Sequence, residues 1–521
     1  MLAKLPAFLS QQRWFGGKAR PIASVEILDV IPMADARVSA DLVLASVRYA
    51  DQYPDETYAV PLLSPVPGSA ASDRNASATP LSRRESEVEP QDALLNRDFL
   101  ALLLSSVDQG RTYVGGSGQL RATSTKVYRQ SGLQSSGELP PALLKGEQSN
   151  SSVLYDERFI LKLLRQVGEG INPELEIGRF LTERAGFAQV PALSGSIVYE
   201  QRGAASRTLG ILQAFVPNQG NAWDHTLRAL GEYLTRAVRP DAPERLSHGE
   251  AASTQPGEGS RPAAPEALLE GYLQSAELLG RRTAELHIAL ASAPDDPDFA
   301  PEPFSSSCQS ALQNAMLEQC ERVFALLRGR LGVLPDATRE RAETLLTLQG
   351  AAEQRLRRLA EAASDGRRIR VHGDYHLGQV LCSNGDFVII DFEGEPARPL
   401  SERRMKHSPL LDVAGMLRSF HYAAHKGTQD WTVSSATTPD CANKWPDCVR
   451  RWRQSVCSRF LAAYTSTARR ASFLPSSPSA TEALLDVYLL NKATYELGYE
   501  LNNRPGWVSI PIEGILEILG S

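Results

Sequence analysis

The chain has 521 residues, 42% of them hydrophobic and 22% charged, with a formal net charge of −6. That length suits about three domains of ~150 residues each, and the composition is that of an ordinary globular chain with a full core. The acidic balance excludes nucleic acid as a main partner, because phosphate neutralisation needs a basic face, and no run reaches the ~20 apolar residues that a membrane span requires. Six cysteines, none in a CxxC pair, are too sparse for a disulfide scaffold. They are read as reduced thiols of a cytosolic chain. The apolar run at the N-terminus is too short for a signal peptide.

Residues 21–63 predict three strands, "SVEILDVI", "ADLVLASVRY" and "ETYAVPL", in which apolar and polar residues alternate as in a half-buried sheet. Residues 64–90 are rich in Ser, Pro, Ala and charge, and predict a flexible insert. "DALLNRDFLALLLSSV" has helical spacing. A second strand block covers about 120–216, where "PALLKGEQSNSSVLYDERFILKLLR" reads as three strands joined by two turns. The following helix opens with Asn172 as N-cap and Pro173 at the first helical position, where a missing N–H costs nothing. "TLGILQAFVPNQG" is a strand leading into a turn. Helices dominate from about 221, interrupted by a low-complexity insert at 241–267, with patterns over 268–292, 308–330 and 335–363. A short hairpin follows, then helices near 409–424, 447–469 and 480–503, with a third insert at about 425–446. Strands first and helices afterwards make the fold class α+β rather than an alternating doubly wound sheet.

Four stretches carry candidate chemistry. In "GEQSNSSV", the small residues Ser149, Asn150, Ser151 and Ser152 suit a tight polar turn that lets backbone amides approach an anion; an ordinary hairpin turn has the same composition. No GxxxxGK[ST] sequence occurs, and "FGGKAR" at 15–20 lacks the first glycine and the hydroxyl residue, so a P-loop is excluded. Within "FILKLLR", Lys162 shares a strand face with Ile160 and Leu164. A lysine in that setting wants a carboxylate or a phosphate, and Glu176 on the next helix is the expected partner; a snorkelling edge lysine is the alternative.

In "VHGDYHLGQVL…VIIDFEG", Asp374 sits between two histidines and Asp391 closes an apolar run. Magnesium needs one or two carboxylates and keeps several waters; Asp391 with the Gln379 amide oxygen supplies such a pair, leaving Asp374 as a base. A zinc site from His372, Asp374 and His376 needs a further ligand and an extended backbone, and neither is provided. Glu393 and Glu395 add charge nearby or lie in a solvated loop. Asp412, in the first turn of "SPLLDVAGMLRSF", holds amides of the catalytic segment or complements the helix dipole. Finally, Lys492, Tyr495, Glu496 and Tyr499 recur at i, i+3, i+4 and i+7, a face able to stack on and hydrogen-bond a polyhydroxylated ligand; a half-buried helix with an internal ion pair has the same pattern.

The order of these parts resembles the protein-kinase-like phosphotransferases, in the branch of aminoglycoside and choline kinases. More narrowly, "QRWFGGKAR", "SNSSVLY", "GINPELEIGRFL", "VHGDYHLGQVL", "DFEGEPARPLSERR" and "YELGYELNNRPGWVSIPIEGI" resemble the bacterial maltokinase family and the kinase region fused to trehalose synthase. The resemblance implies a bilobal fold with an N-terminal cap at 1–90, a β-rich N-lobe at 91–219 and a helical C-lobe at 220–521. It implies ATP and Mg2+ as cofactors, maltose as acceptor at its anomeric hydroxyl, and trehalose synthase as a partner. Lys162 would bind the ATP phosphates and pair with Glu176, and Gln213, Phe215 and Val216 would meet adenine. Asp374 would be the base, Gln379 and Asp391 would hold the metal, and Lys492 and Tyr499 would contact the disaccharide. Leu411 stands where the family pattern expects arginine, and His421 where it expects aspartate. Three rivals follow from the same residues: a glucosamine kinase, an aminoglycoside kinase, and a silent scaffold for trehalose synthase.

Overall fold

The computed structural model describes residues 4–51, 53–64, 89–130, 139–144, 149–238, 265–359, 365–396, 398–434 and 439–520. Most of the inserts expected at 64–90 and 241–267 lies outside the described residues. The chain divides into two compact units, Met1–Pro217 with Glu395–Arg404, and Asn218–Gly394 with Met405–Ser521.

The first unit holds two antiparallel sheets. Strands β1 (Ile22–Ala34), β2 (Ser39–Tyr49) and β3 (Glu56–Leu63) form one, in that spatial order. Strand period two divides their side chains between two cores. Ala40, Leu42 and Leu44 join Leu94, Phe99 and Leu103. Val43, Ala45 and Val47 join Leu5, Leu9, Trp14 and Phe15. Strands β2 and β3 are therefore buried on both faces, a correction to the half-buried sheet expected from alternation, while β1 keeps exposed positions. The short helix Leu5–Gln11, which the strand pattern does not reveal, covers the second face.

The second sheet has seven strands: β4 (Thr112–Val114), β5 (Gln119–Ser124), β6 (Pro141–Leu143), β7 (Asn150–Tyr155), β8 (Phe159–Leu164), β9 (Leu193–Glu200) and β10 (Arg207–Ala214). Their spatial order is β4-β5-β9-β10-β8-β7-β6. Asp29 on β1 joins the two sheets: its carboxylate accepts from the Gly116 and Gly118 amides at 2.7 and 2.9 Å and from the Tyr199 hydroxyl at 2.8 Å. The helix Pro173–Arg179 starts as expected, with Asn172 Oδ1 accepting the Glu174 amide at 2.8 Å. It continues into a π-turn over Phe180–Ala185 that ends at Gly186.

The second unit is mostly helical: Ala222–Ala237, Pro265–Leu290, Ser306–Arg330, Asp336–Thr347, Gln349–Arg357, Leu410–Ser434, Pro439–Thr467, Pro478–Asn503 and Ser509–Leu519. Two expectations are corrected. The pattern over 335–363 breaks at Leu348 into two helices. The insert placed at about 425–446 is helical on both sides of residues 435–438, which lie outside the described residues. A hairpin of Val380–Ser383 and Asp386–Ile389 turns on Asn384 and Gly385, both at positive φ. No described helix is long and apolar enough to cross a membrane.

Candidate active site

In the first unit the local geometry starts from β7 and β8. Lys162 pairs in register with Ser152 on one side and Ile211 on the other. Its ammonium lies 2.8 Å from Glu174 Oε2, and the two side chains are 14% and 3% exposed. A nearly dry ion pair of this kind is held by further hydrogen bonds. Gln213 Nε2 donates to Glu174 Oε1 at 3.3 Å, fixing the second carboxylate oxygen. The sequence pairing of Lys162 with Glu176 is thus corrected to Glu174. The two glutamates are two positions apart, about 200° around a helix, and face different neighbours. Glu176 accepts from Arg404 at 2.6 and 3.1 Å.

Asn150, Ser151 and Ser152 belong to strand β7, not to a turn, and Ser149 is exposed just before it. This corrects the expected four-residue turn; residues 145–148 lie outside the described residues. Phe215 donates its amide to the Arg158 carbonyl at 2.8 Å, so the chain beyond β10 leaves the sheet from a fixed point ahead of Val216.

In the second unit Asp374 lies in a loop ahead of the hairpin rather than inside it, and Asp391 follows its last strand. His372 ties the two together. Its ring is buried, Nε2 donates to the Ile390 carbonyl at 2.9 Å, and Nδ1 accepts the Asp374 amide at 3.4 Å. This use of both nitrogens fixes the tautomer and removes His372 from any metal-ligand set. Asp391 has φ 66, an uncommon value for a residue with a side chain. Gln379 Nε2 donates to Asp391 Oδ2 at 2.7 Å, which turns the Gln379 amide oxygen the other way.

Asp412 holds the loop that carries Asp374. It accepts the amides of His372 and Gly373 at 2.8 and 2.9 Å, and His287 Nε2 donates to it at 3.1 Å. The Tyr464 hydroxyl, 2.9 Å from His287 Nδ1, completes the chain. Burial pushes the Asp412 carboxyl up, but the His287 hydrogen bond and charge and the Gly373 amide outweigh it and hold the group below the usual carboxylate value. Gly415, three residues on, lets the loop approach: an added Cβ would lie 2.6 Å from the Tyr375 carbonyl oxygen.

The helix Pro478–Asn503 brings Lys492 to the same loop, with its ammonium 3.9 Å from Asp374 Oδ1. That ammonium also lies 5.0 Å from the Tyr495 ring centroid. Glu496 accepts from Arg418 Nε at 2.8 Å and lies 2.7 Å from its Nη2. Two turns beyond Lys492, Tyr499 is 45% exposed, with the Arg504 guanidinium 5.2 Å from its ring. Arg504 also lies 5.0 Å from Trp507, whose ring stacks on Tyr422. Glu500 is buried and accepts from Arg504 at 2.6 and 2.9 Å and from the Tyr422 hydroxyl at 3.1 Å. Among the departures from the resemblance, His421 is held between Arg418 and Arg453, at 2.6 and 2.8 Å from its two ring nitrogens. Leu411 is half-buried in the first turn of Leu410–Ser434.

A family model described as the Phosphotransferase enzyme family (APH) matches residues 143–425, more than half of the chain. The chain belongs to this phosphotransferase family. The match spans both units and includes Lys162, Glu174, Asp374, Gln379 and Asp391. In this phosphotransferase, residues 8–89 also match the Maltokinase N-terminal cap domain. Among curated proteins it is 27% identical over 377 residues to a glucosamine kinase of Streptacidiphilus jiangxiensis, covering 72% of each chain. It is 25% identical over 369 residues to the glucosamine kinase of Mycolicibacterium smegmatis, covering 70% of this chain and 76% of the relative. A solved glucosamine kinase in complex with glucosamine, ADP and inorganic phosphate aligns over 99% of both chains at TM-score 0.63 and 18% identity, a likeness of fold.

Sequence reasoning missed Glu174, Arg404, His287, Arg418 and Arg504 in this phosphotransferase. A helix turn set by the Asn172 cap would have distinguished Glu174 from Glu176. No local signal marks Arg404 or His287, since their partners are 228 and 125 residues away.

Proposed function

We propose that this phosphotransferase transfers the γ-phosphoryl group of ATP to the anomeric hydroxyl of maltose, giving maltose 1-phosphate. In phosphoryl transfer the protein mainly positions groups and neutralises charge. Lys162, oriented by Glu174, is the phosphate-binding cation, with Ser149–Ser152 and the backbone of Gln213–Val216 serving the rest of the nucleotide. Asp391 is a hard oxygen donor that would hold Mg2+, and Gln379 would join it with its amide turned over, the oxygen taking the place of the nitrogen that now meets Asp391 Oδ2; when bound, the ion neutralises phosphate charge. Asp374 takes the proton from the attacking hydroxyl as the new O–P bond forms and the bond from the γ-phosphorus to its bridging oxygen breaks, with ADP leaving. Lys492, its ammonium 3.9 Å from that carboxylate, donates to a sugar oxygen. Lys492, Tyr495 and Tyr499 together span about 10 Å of helix axis, enough for a second pyranose on the two tyrosine rings.

The observation that carries the choice of a neutral acceptor is that Glu496 and Glu500 are already occupied by arginines. A cationic sugar would need a carboxylate left to it, and the desolvated Arg418–Glu496 pair is not readily exchanged. The match to a maltokinase cap supports the same choice. A trehalose synthase is the partner that fits this chemistry. The second reading, a glucosamine kinase, is favoured by the curated relatives. A coupled ADP-release assay across maltose, glucosamine, glucose and an aminoglycoside separates the two: maltose should turn over best. Turnover of glucosamine alone would replace the first reading with the second, and no turnover with any sugar would favour the silent scaffold.

A further inference from the structure

The segment "QRWFGGKAR" near the N-terminus has no role in the chemistry above, yet it packs against one buried charge. Gly17 lets it turn there: an added Cβ would lie 2.2 Å from the Tyr49 hydroxyl. Trp14 is buried, and its ring lies against Tyr58, with centroids 6.1 Å apart, and under the Arg165 guanidinium, 4.4 Å from the ring centroid. Arg165 immediately follows β8 and is 2% exposed. Its Nη2 donates to Asp92 Oδ2 at 2.5 Å, and its Nε donates to Ser151 Oγ at 2.9 Å. Its carbonyl accepts the Ala59 amide on β3 at 2.8 Å, and the Val167 amide donates to Thr57 on the same strand at 2.8 Å. One residue therefore joins the three-stranded sheet, through backbone, ring face and Asp92, to the hydroxyl of Ser151 on β7.

We infer that Arg165 is a positioning residue through which the cap segment, by way of Trp14, sets the nucleotide-handling strand at Ser151. The inference rests on the proposed reading of Ser149–Ser152 as nucleotide-handling. Burying a charge in this way is unfavourable for stability alone: Arg165 Nη1 is buried with no hydrogen-bond partner, and desolvation works against the charged form. A planar fork is what the geometry uses. Nε and Nη2 address two acceptors while the flat face rests on indole, an arrangement that an ammonium cannot reproduce. Ser151 is held from the side of the cap, while its neighbour Ser152 pairs in register with Lys162.

The test is a double-mutant cycle on the full-length protein, with steady-state KM for ATP, KM for the sugar acceptor and kcat measured in every variant. Ser151→Ala and Trp14→Leu should each raise the KM for ATP about three-fold, and the double variant should also show about three-fold rather than the product, since residues acting through one link are not additive. The KM for sugar should stay at the wild-type value, which a merely loosened fold would not spare. Trp14→Phe, keeping an aromatic face, should restore most of the ATP KM. If Trp14→Leu does not fold, Arg165→Lys is read in its place against Ser151→Ala, with the same expectation. A multiplicative double variant, or a cap-side variant with wild-type ATP KM beside an impaired Ser151→Ala, overturns the link and leaves the nucleotide reading standing. An unchanged ATP KM in Ser151→Ala overturns both.

Discussion

Glu174 and Glu176 differ by two positions and do different work. Glu174 is buried against Lys162, whereas Glu176 meets Arg404 in the same unit. Glu174→Gln should raise the KM for ATP by about ten-fold, because it weakens a carboxylate that orients the Lys162 ammonium proposed to bind phosphate. Glu176→Gln should leave ATP affinity within about two-fold, because Glu176 meets Arg404 and not the Lys162 ammonium. The reverse ranking would restore the pairing read from sequence. Asp374→Ala should lower kcat by about 10²–10⁴, the range for a general base, with the circular dichroism spectrum unchanged; retained activity would refute its role. Lysine in an apolar strand was legible because the cost of burial demands a partner, but which glutamate serves was not. That choice depends on helical phase, and phase is set by where the Asn172 cap falls.

At the scale of elements, hydrophobic period gave the helices read at 268–292, 308–330 and 480–503 to within three residues at each end. It failed where tertiary contact overrides local pattern. The helix Leu410–Ser434 runs well past 424 because Thr428 and Trp431 are buried on it. The loop of Asp374 was legible as candidate chemistry, while its support was not, since Asp412, His287 and Tyr464 come from three helices. Asp412→Ala should destabilise the protein by about 3 kcal/mol, the cost of leaving buried amides unpaired, and reduce kcat with it; a thermal melt alongside the assay checks both.

His421 tests the electrostatics of the neighbouring helices. Loss of solvent around the ring lowers its pKa well below the ordinary value, and Arg418 and Arg453 lower it further. The fold therefore prefers the neutral ring. Its contribution is complete above the unfolded-state value of ~6.5 and declines as pH falls from there toward the lower folded-state value. The melting temperature of the wild type should fall more steeply between pH 7 and 5 than that of His421→Gln; parallel curves would contradict the assignment.

For the whole molecule, fold and family follow from the match over residues 143–425 and from the alignment over the full chain with a solved relative. The acceptor depends on a finer balance. The curated relatives are glucosamine kinases, whereas the cap match and the arginine-occupied Glu496 and Glu500 favour a neutral disaccharide. Side chains on one helix face suggested carboxylates available to a ligand. Only the fold reveals that Arg418, from another helix, and Arg504, one turn further on, already occupy them. Lys492→Ala should raise the KM for sugar while leaving the KM for ATP unchanged, as loss of uniform substrate binding does; an effect confined to ATP would contradict its place beside the acceptor. The central claim is tested most directly by the mass spectrum of the products formed from ATP with maltose and glucosamine in equimolar competition. Maltose 1-phosphate should be the main phosphorylated sugar. A spectrum holding glucosamine phosphate with maltose untouched would contradict it.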